Sequence, residues 1–101
     1  MIKIPFFKIS GSGNDFILID NRKGALSGMD MERFTSRVCA HRFSVGGDGL
    51  IVIEDSGVAD FKCTLYNADG SKAEMSGNGS RCAARFAYLI GIAKKEMAFE
   101  T

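Results

Sequence analysis

The sequence lacks the features that mark several large classes of protein. The chain has 101 residues, and no apolar run in it approaches the roughly 18 residues that a transmembrane helix requires. Thirteen basic and twelve acidic residues leave a formal net charge of only +1. Charge alone therefore provides no surface for nucleic acid or for an anionic membrane, and we expect neither among its partners.

Cysteine and histidine are scarce as well. Cys39, Cys63, Cys82 and the single His41 do not have the spacing of zinc ligands. An odd number of cysteines without a close pair indicates a reducing compartment rather than a disulfide scaffold. We therefore expect buried structural thiols, no metal and a cytoplasmic protein. His41 lies at the end of a predicted helix, where a capping or surface residue is more common than a base.

The composition is that of a globular domain, with 46% hydrophobic and 25% charged residues. We predict a single domain over residues 1–101. A chain this short buries a modest fraction of its surface, which favours a partner or a place in a larger protein. Glycine is abundant at 12 residues, and eight of these form three clusters between apolar segments, which indicates shaped loops. The clusters are Gly11 and Gly13; Gly46, Gly47 and Gly49; and Gly70, Gly77 and Gly79.

Hydrophobic periodicity predicts mostly strands, with two helices among them. Because the helices do not alternate regularly with the strands, an α+β fold is favoured over a doubly wound sheet. The first two strands are expected to form a hairpin. The predicted strands are 2–9, 15–20, 49–54, 60–66 and 96–101, and the predicted helices are 30–41 and 79–90.

Both predicted helices have recognisable ends. Asp30 is the expected N-cap of the first, and Asn78 of the second. Gly91 is expected to end the second helix. Alanines on its remaining faces predict that the second helix is buried on most sides.

Glycines surround the expected start of the second helix at Gly77, Asn78 and Gly79. Such a segment exposes unpaired N–H groups at the positive end of the helix dipole, which is a site for a carboxylate or phosphate. A tight turn with an asparagine cap explains the same residues. Residue chemistry alone leaves both interpretations open.

The same segment resembles a family signature. From Asn67 to Cys82 the chain resembles diaminopimelate epimerases, which have Asn-Ala-Asp-Gly-Ser, then Ala-Glu-Met-Cys-Gly-Asn-Gly, then Arg-Cys. The departure is Ser76, where the family has its cysteine. Residues 13–16 (Gly-Asn-Asp-Phe) and 42–50 resemble two further family motifs, in the same order and spacing. The match to Ala-Glu-Met-x-Gly-Asn-Gly favours this family over proline-type racemases.

The resemblance implies a fold of two pseudo-symmetric halves, each a mixed β-sheet curled around a central helix, with this chain as the N-terminal half. It implies epimerisation of LL-diaminopimelate to meso-diaminopimelate, in lysine and peptidoglycan biosynthesis, without pyridoxal phosphate or metal. Two cysteines, one from each half, exchange the α-proton in that family. By position Ser76 takes the place of the first, and the second lies outside this chain. The implied substrate contacts are Asn14, Asn67, Gly77, Asn78 and Gly49.

Serine at this position has a chemical consequence. A hydroxyl titrates several units above a thiol, and each unit costs about 1.4 kcal/mol, so Ser76 is expected to be a poor base. We expect no turnover by this chain alone, and association into a homo-oligomer or with a second half. A designed Cys→Ser exchange, natural divergence and a plain anion-binding turn all explain the serine. The alternative function is a non-catalytic domain that binds a small carboxylate or assembles with a partner.

Overall fold

A computed structural model describes residues 4–11, 13–40, 46–91 and 99–101. Within them the chain forms a mixed β-sheet and two helices, so the predicted α+β class is confirmed. The elements in chain order are β1 (Phe7–Gly11), β2 (Asn14–Asp20), α1 (Met31–Val38), β3 (Gly49–Glu54), β4 (Phe61–Asn67), β5 (Lys72–Ala73), α2 (Gly77–Leu89) and β6 (Phe99–Glu100).

The sheet has the order β1-β2-β3-β4-β5, and β6 also pairs with β4. Strand β2 runs parallel to β3, and β4 runs parallel to β6, while the other pairs are antiparallel. Strands β5 and β6 pair with different ends of β4, near Tyr66 and Phe61 respectively. Because of these registers, the start of β2, the end of β4 and the short strand β5 lie at the same end of the sheet.

Both faces of the central strands are buried. Successive side chains of a strand point to opposite faces, and in β2 this places Phe16 and Leu18 in one apolar cluster and Ile17 and Ile19 in another. The first cluster includes the buried residues of α2, and residues of α1 pack against the second. The sheet therefore lies between the two helices, which is why β2 and β3 are continuously apolar rather than alternating.

Strand β4 alternates, as its sequence predicts. Phe61, Cys63 and Leu65 are buried in the cluster beneath α2, and the residues between them are partly exposed. The three cysteines are free and buried, which confirms the prediction of structural thiols. Burial raises the pKa of Cys63 to about 11.

The N-terminal hairpin is confirmed, with corrected bounds. Gly11 lies opposite Asn14 in an antiparallel pair, and Gly13 has a φ of +88°. The strand begins at Phe7, so the predicted strand over 2–9 is wrong for residues 4–6, and residues 2 and 3 lie outside the described part of the chain.

The first helix has the predicted cap and is shorter than predicted. The Asp30 carboxylate accepts a hydrogen bond from the Arg33 N–H at 3.2 Å. The helix ends at Val38, and His41 lies outside the described residues. A two-residue strand, β5, was not predicted because its residues carry no alternating pattern.

The second helix begins two residues before the predicted start. Its N-cap is Ser76 and not Asn78, so that prediction is wrong, whereas Gly91 follows the C-cap Ile90 with a φ of +79°. One face of the helix is exposed, contrary to the expectation of burial on most sides. The exposed residues on this face are Arg81, Arg85, Tyr88 and Leu89.

The last predicted strand lies partly within the described residues. Of the predicted strand 96–101, Phe99–Glu100 forms β6, and residues 96–98 lie outside the described part. Among the described residues there is no helix of the length and apolarity needed to cross a bilayer.

Candidate functional site

An open cavity of about 270 Å³ lies where the start of β2, the end of β4 and β5 meet the beginning of α2. Three of the predicted site residues, Asn14, Asn67 and Ser76, line it together although they are far apart in the chain. The described residues that line it are Asn14, Phe16, Asp48, Leu65, Tyr66, Asn67, Ala73, Glu74 and Ser76.

Ser76 reaches the cavity as the N-cap of α2. Its backbone is extended, with φ −88° and ψ 166°, and its Oγ accepts a hydrogen bond from the Gly79 N–H at 3.0 Å. Its carbonyl accepts the bond from the Ser80 N–H at 2.9 Å. Serine is among the preferred residues at this position because its hydroxyl satisfies a helix N–H that has no intrahelical partner.

This cap changes the predicted anion site. The N–H of Gly79 is occupied by Ser76, so the expectation that three amides face an anion is wrong for Gly79. Gly77 and Asn78 open the helix, where amides have no carbonyl four residues earlier within the helix. Among the described residues, none accepts a hydrogen bond from the backbone N–H of Gly77 or from the backbone N–H of Asn78. Two neighbouring N–H groups therefore remain beside the cap for an anion.

A chain of hydrogen bonds ties α2 to β2. Arg81 donates to the Oδ1 of Asn78, and the Asn78 Nδ2 donates to the Asn14 Oδ1 at 3.0 Å. A guanidinium can only donate, so the oxygen of Asn78 faces Arg81 and its NH₂ faces Asn14. The NH₂ of Asn14 is then left as a donor for the cavity that this residue lines.

Asn67 is held by the turn that follows β4. Its Nδ2 donates to the Ser71 Oγ at 3.0 Å. Ser71 in turn donates to Asp69 Oδ1 through its hydroxyl at 2.6 Å and its N–H at 2.8 Å. These bonds from Ser71 lower the pKa of Asp69 below its usual range.

Two carboxylates complete the lining, and sequence reasoning missed both. Asp48 and Glu74 contribute to the wall. Two hydrogen bonds join Asp48 to Asp15. The Asp15 N–H donates to the Asp48 carboxylate at 2.7 Å, and the Asp48 N–H donates to the Asp15 carbonyl at 2.7 Å. The glycines on both sides of Asp48 in the sequence are the signal that could have identified it as a site residue. The cavity thus combines carboxylates with amide and hydroxyl groups, which suits a ligand that carries both charges.

Gly49 is not among the residues that line the cavity. It is buried in β3, and a Cβ added there would lie 2.9 Å from the Tyr66 carbonyl oxygen and 3.3 Å from Phe16 Cδ1. Its lack of a side chain lets β3 lie close behind two residues that do line the cavity. Gly77 is exposed and adjoins Ser76 at the start of the helix.

All three cysteines are among the residues that the structure describes, and none of them lines the cavity. Within the described ranges, no group of three histidine, cysteine or acidic side chains is placed to hold a metal ion.

Comparison with known proteins adds a family to this geometry. The family described as diaminopimelate epimerase matches residues 6–101. The chain belongs to the diaminopimelate epimerase family. This confirms the resemblance carried by the segment from Asn67 to Cys82.

Individual diaminopimelate epimerases are similar over nearly all of this chain. That of Aquifex aeolicus is 50% identical, with 97% of this chain and 38% of the relative aligned. The enzyme of Caldanaerobacter subterraneus is 47% identical, with 95% of this chain and 34% of the relative aligned. That of Archaeoglobus fulgidus is 41% identical, with 99% of this chain and 36% of the relative aligned. The chain spans about a third of the length of the curated relatives that it matches.

A solved structure has the same fold at low sequence identity. The crystal structure of the Bacillus anthracis phenazine biosynthesis protein, of the PhzF family, superimposes with a TM-score of 0.66 and 17% identity. The superposition covers 97% of this chain and 31% of that chain. It supports the fold that the diaminopimelate epimerase resemblance implied.

Proposed function

We propose that this chain forms one wall of a cofactor-independent epimerase site that interconverts LL- and meso-diaminopimelate by two-base proton transfer at the α-carbon. The observation that carries the proposal is that Asn14, Asn67 and Ser76 line one cavity. Support for the substrate comes from relatives that are named diaminopimelate epimerases and are 41% to 51% identical to this chain. The second wall and the second base lie outside this chain.

The start of α2 is the proposed binding site of the reacting α-carboxylate. The free N–H groups of Gly77 and Asn78 and the NH₂ of Asn14 are hydrogen-bond donors, and the helix dipole adds positive potential. Fixed donors of this kind also stabilise the negative charge that develops when the α-proton leaves. Asp48 and Glu74 are acceptors for an ammonium group of the substrate.

In the proposed reaction, Ser76 occupies the position of the base that removes the α-proton. A thiol at a helix N-terminus has a lowered pKa and reaches its thiolate near neutral pH. A hydroxyl titrates several units higher, and each unit adds about 1.4 kcal/mol to the cost of the ionised base. We therefore expect this chain alone to bind substrate without measurable turnover.

The second candidate is a non-catalytic domain that binds a small carboxylate or assembles with a partner. The N-cap hydrogen bond favours it, because the Ser76 hydroxyl already has a structural role. A designed exchange, natural divergence and an anion-binding turn all remain compatible with a serine here. The two candidates differ in whether a thiol at this position brings proton exchange.

We propose that the chain works in the cytoplasm, as a homo-oligomer or with a second half. The reduced, buried thiols support a reducing compartment. The incomplete site supports association, because a two-base reaction needs a group on the opposite face of the substrate. Large exposed apolar side chains include Phe7, Tyr88 and Leu89. Tyr88 and Leu89 lie at the end of α2 away from Ser76, and the Phe7 ring lies 5.0 Å from that of Phe86 near the same end. None of the three is among the residues that line the cavity.

The test compares the chain with its Ser76→Cys variant. Sedimentation at micromolar concentration gives the oligomeric state, calorimetry gives binding of meso-diaminopimelate, and mass spectrometry gives deuterium incorporation at the α-carbon in heavy water. We expect binding by both proteins, but exchange only by the Ser76→Cys variant. Ser80→Cys is the control, since it places a thiol one turn further along the helix.

Each outcome separates the two candidates. Binding without exchange by Ser76→Cys in an assembled dimer contradicts the epimerase proposal and favours the carboxylate-binding domain. Exchange that is equal in Ser80→Cys contradicts the assignment of position 76. Absence of binding by the unmodified chain contradicts the epimerase proposal and a carboxylate-binding domain, and the sedimentation result then decides whether the chain assembles with a partner.

A further inference from the structure

The turn after β4 contains a directed chain of hydrogen bonds. The Asn67 Nδ2 donates to the Ser71 Oγ at 3.0 Å, and the Ser71 Oγ donates to Asp69 Oδ1 at 2.6 Å. The same carboxylate oxygen accepts the Ser71 N–H at 2.8 Å. Thus a side chain that lines the cavity is connected through a hydroxyl to an exposed carboxylate.

The direction of these bonds follows from how many protons each group carries. A serine hydroxyl has one proton, and an ionised carboxylate can only accept. Because Asp69 takes the proton of Ser71, the hydroxyl can offer only lone pairs to Asn67. The NH₂ end of the Asn67 amide must therefore face Ser71, and its oxygen is the end that the turn does not hold. The lowered pKa of Asp69 keeps the carboxylate ionised at neutral pH.

The turn is anchored, so this orientation is fixed relative to the cavity. The Asn67 N–H donates to the Ser71 carbonyl at 2.8 Å, and the Gly70 N–H donates to the Asn67 carbonyl at 2.9 Å. Gly70 is buried against α1, where a Cβ added to it would lie 2.2 Å from the Glu32 carbonyl oxygen. The backbone of helix α1 thus supports the turn from behind.

We propose that Asp69 and Ser71 are positioning residues that hold the Asn67 amide with its oxygen toward the cavity, so that this wall accepts hydrogen bonds. At Asn14 the lining presents a donor instead, because Asn78 occupies the oxygen of Asn14. A ligand with an ammonium group toward Asn67 and a carboxylate toward Asn14 fits this polarity. Only the identity of that ligand, diaminopimelate, rests on the proposed function.

The orientation is tested in the full chain without ligand. In ¹⁵N-labelled protein the Asn67 NH₂ signals are assigned by their loss in Asn67→Ser. We expect a nuclear Overhauser effect from these protons to the Ser71 β-protons and slow exchange with solvent. In Ser71→Ala the NH₂ protons lose their acceptor and exchange at least several-fold faster, while Ser71→Thr keeps the hydroxyl and the slow exchange.

A pair of variants at position 69 tests the direction of the relay. Asp69→Asn retains the one oxygen that accepts both bonds from Ser71, so the Asn67 signals should not move. Asp69→Ala frees the Ser71 hydroxyl to donate to the Asn67 oxygen, so the amide turns over and the NH₂ protons lose contact with residue 71. Equal spectra for Asp69→Ala and the unmodified chain contradict the inference, as does unchanged exchange in Ser71→Ala. If Ser71→Ala does not fold, the pair at position 69 decides alone.

A binding measurement connects the relay to specificity. The probes are meso-diaminopimelate and pimelate, which has the same carbon chain without amino groups. We expect Ser71→Ala to reduce the preference for the diamino compound on the order of tenfold, the effect of losing a hydrogen bond to a charged group. If the unmodified chain binds neither probe, the proposed function fails, and the spectra of the free protein still decide the positioning role. An unchanged preference in a folded Ser71→Ala variant contradicts the link to specificity.

Discussion

The Oγ of Ser76 accepts a hydrogen bond from the N–H of Gly79 at 3.0 Å, so the residue that we propose to stand in place of the family's cysteine is also the N-cap of α2. Serine is a strong capping residue, and a thiol is a weaker hydrogen-bond acceptor. The residue that favours stability at this position is therefore the one less suited to remove an α-proton.

Removing the cap should destabilise the chain. We expect Ser76→Ala to lower the free energy of unfolding by about 1 kcal/mol, the usual effect of losing an N-cap side chain. Ser76→Asp is the matched control, because its carboxylate can accept the same bond and suits the positive end of the helix. Urea denaturation of the three proteins measures the difference. An alanine variant as stable as the unmodified chain would show that the bond to Gly79 contributes nothing.

An anion should bind to two amides of the helix N-terminus and not to three. Titration with sulfate, followed through backbone amide shifts, is expected to move the signals of Gly77 and Asn78. The Gly79 signal should stay, because its N–H is held by Ser76. In Ser76→Ala the Gly79 amide is released, and its signal should respond as well. A uniform response of all three amides in the unmodified chain would contradict the cap.

Gly70 should tolerate no side chain. It has a φ of +94°, and a Cβ added there would lie 2.2 Å from the Glu32 carbonyl oxygen. Gly28 has a similar φ of +77° with nothing within 4 Å, so Gly28→Ala isolates the backbone strain, which is worth about 1 kcal/mol. We expect Gly70→Ala to cost at least about 2 kcal/mol more, because helix and turn must move apart. Chemical denaturation of both variants checks this, and equal costs would show that the contact with α1 is unimportant.

Stability should fall at high pH because of Cys63. Burial raises the pKa of this thiol to about 11 from an ordinary value of 9.0. Folding therefore favours the protonated form, and the contribution is present below about pH 9 and is lost as the pH rises through 11. Relative to Cys63→Ala, the unmodified chain should lose about 2 kcal/mol between pH ~8 and pH ~10.5. A difference between the two proteins that stays constant with pH would contradict the burial of the thiol.

The sequence by itself determined the apolar pattern and the family. Alternation in β4 follows from side-chain periodicity, which is local. The apolar stripe that the same periodicity predicts for α2, Cys82, Phe86, Leu89 and Ile90, is wrong at Leu89, which is exposed. The Asp30 cap and the final Gly91 were also predicted, because their chemistry depends on adjacent residues. The match from Asn67 to Cys82 predicted Asn67, Ser76, Gly77 and Asn78 as site residues, and their roles stay predictions.

Tertiary structure decided which group pairs with which. Ser76 and Asn78 are both good capping residues, and the choice depends on where the backbone turns into the helix. Once Asn78 lies inside the helix, its side-chain amide is free to bind Asn14 at the start of β2. Asp48 reaches the cavity because β3 follows β2 in parallel. Contacts between distant segments depend on the registers of several strands together, and periodicity in a single segment carries no information about them.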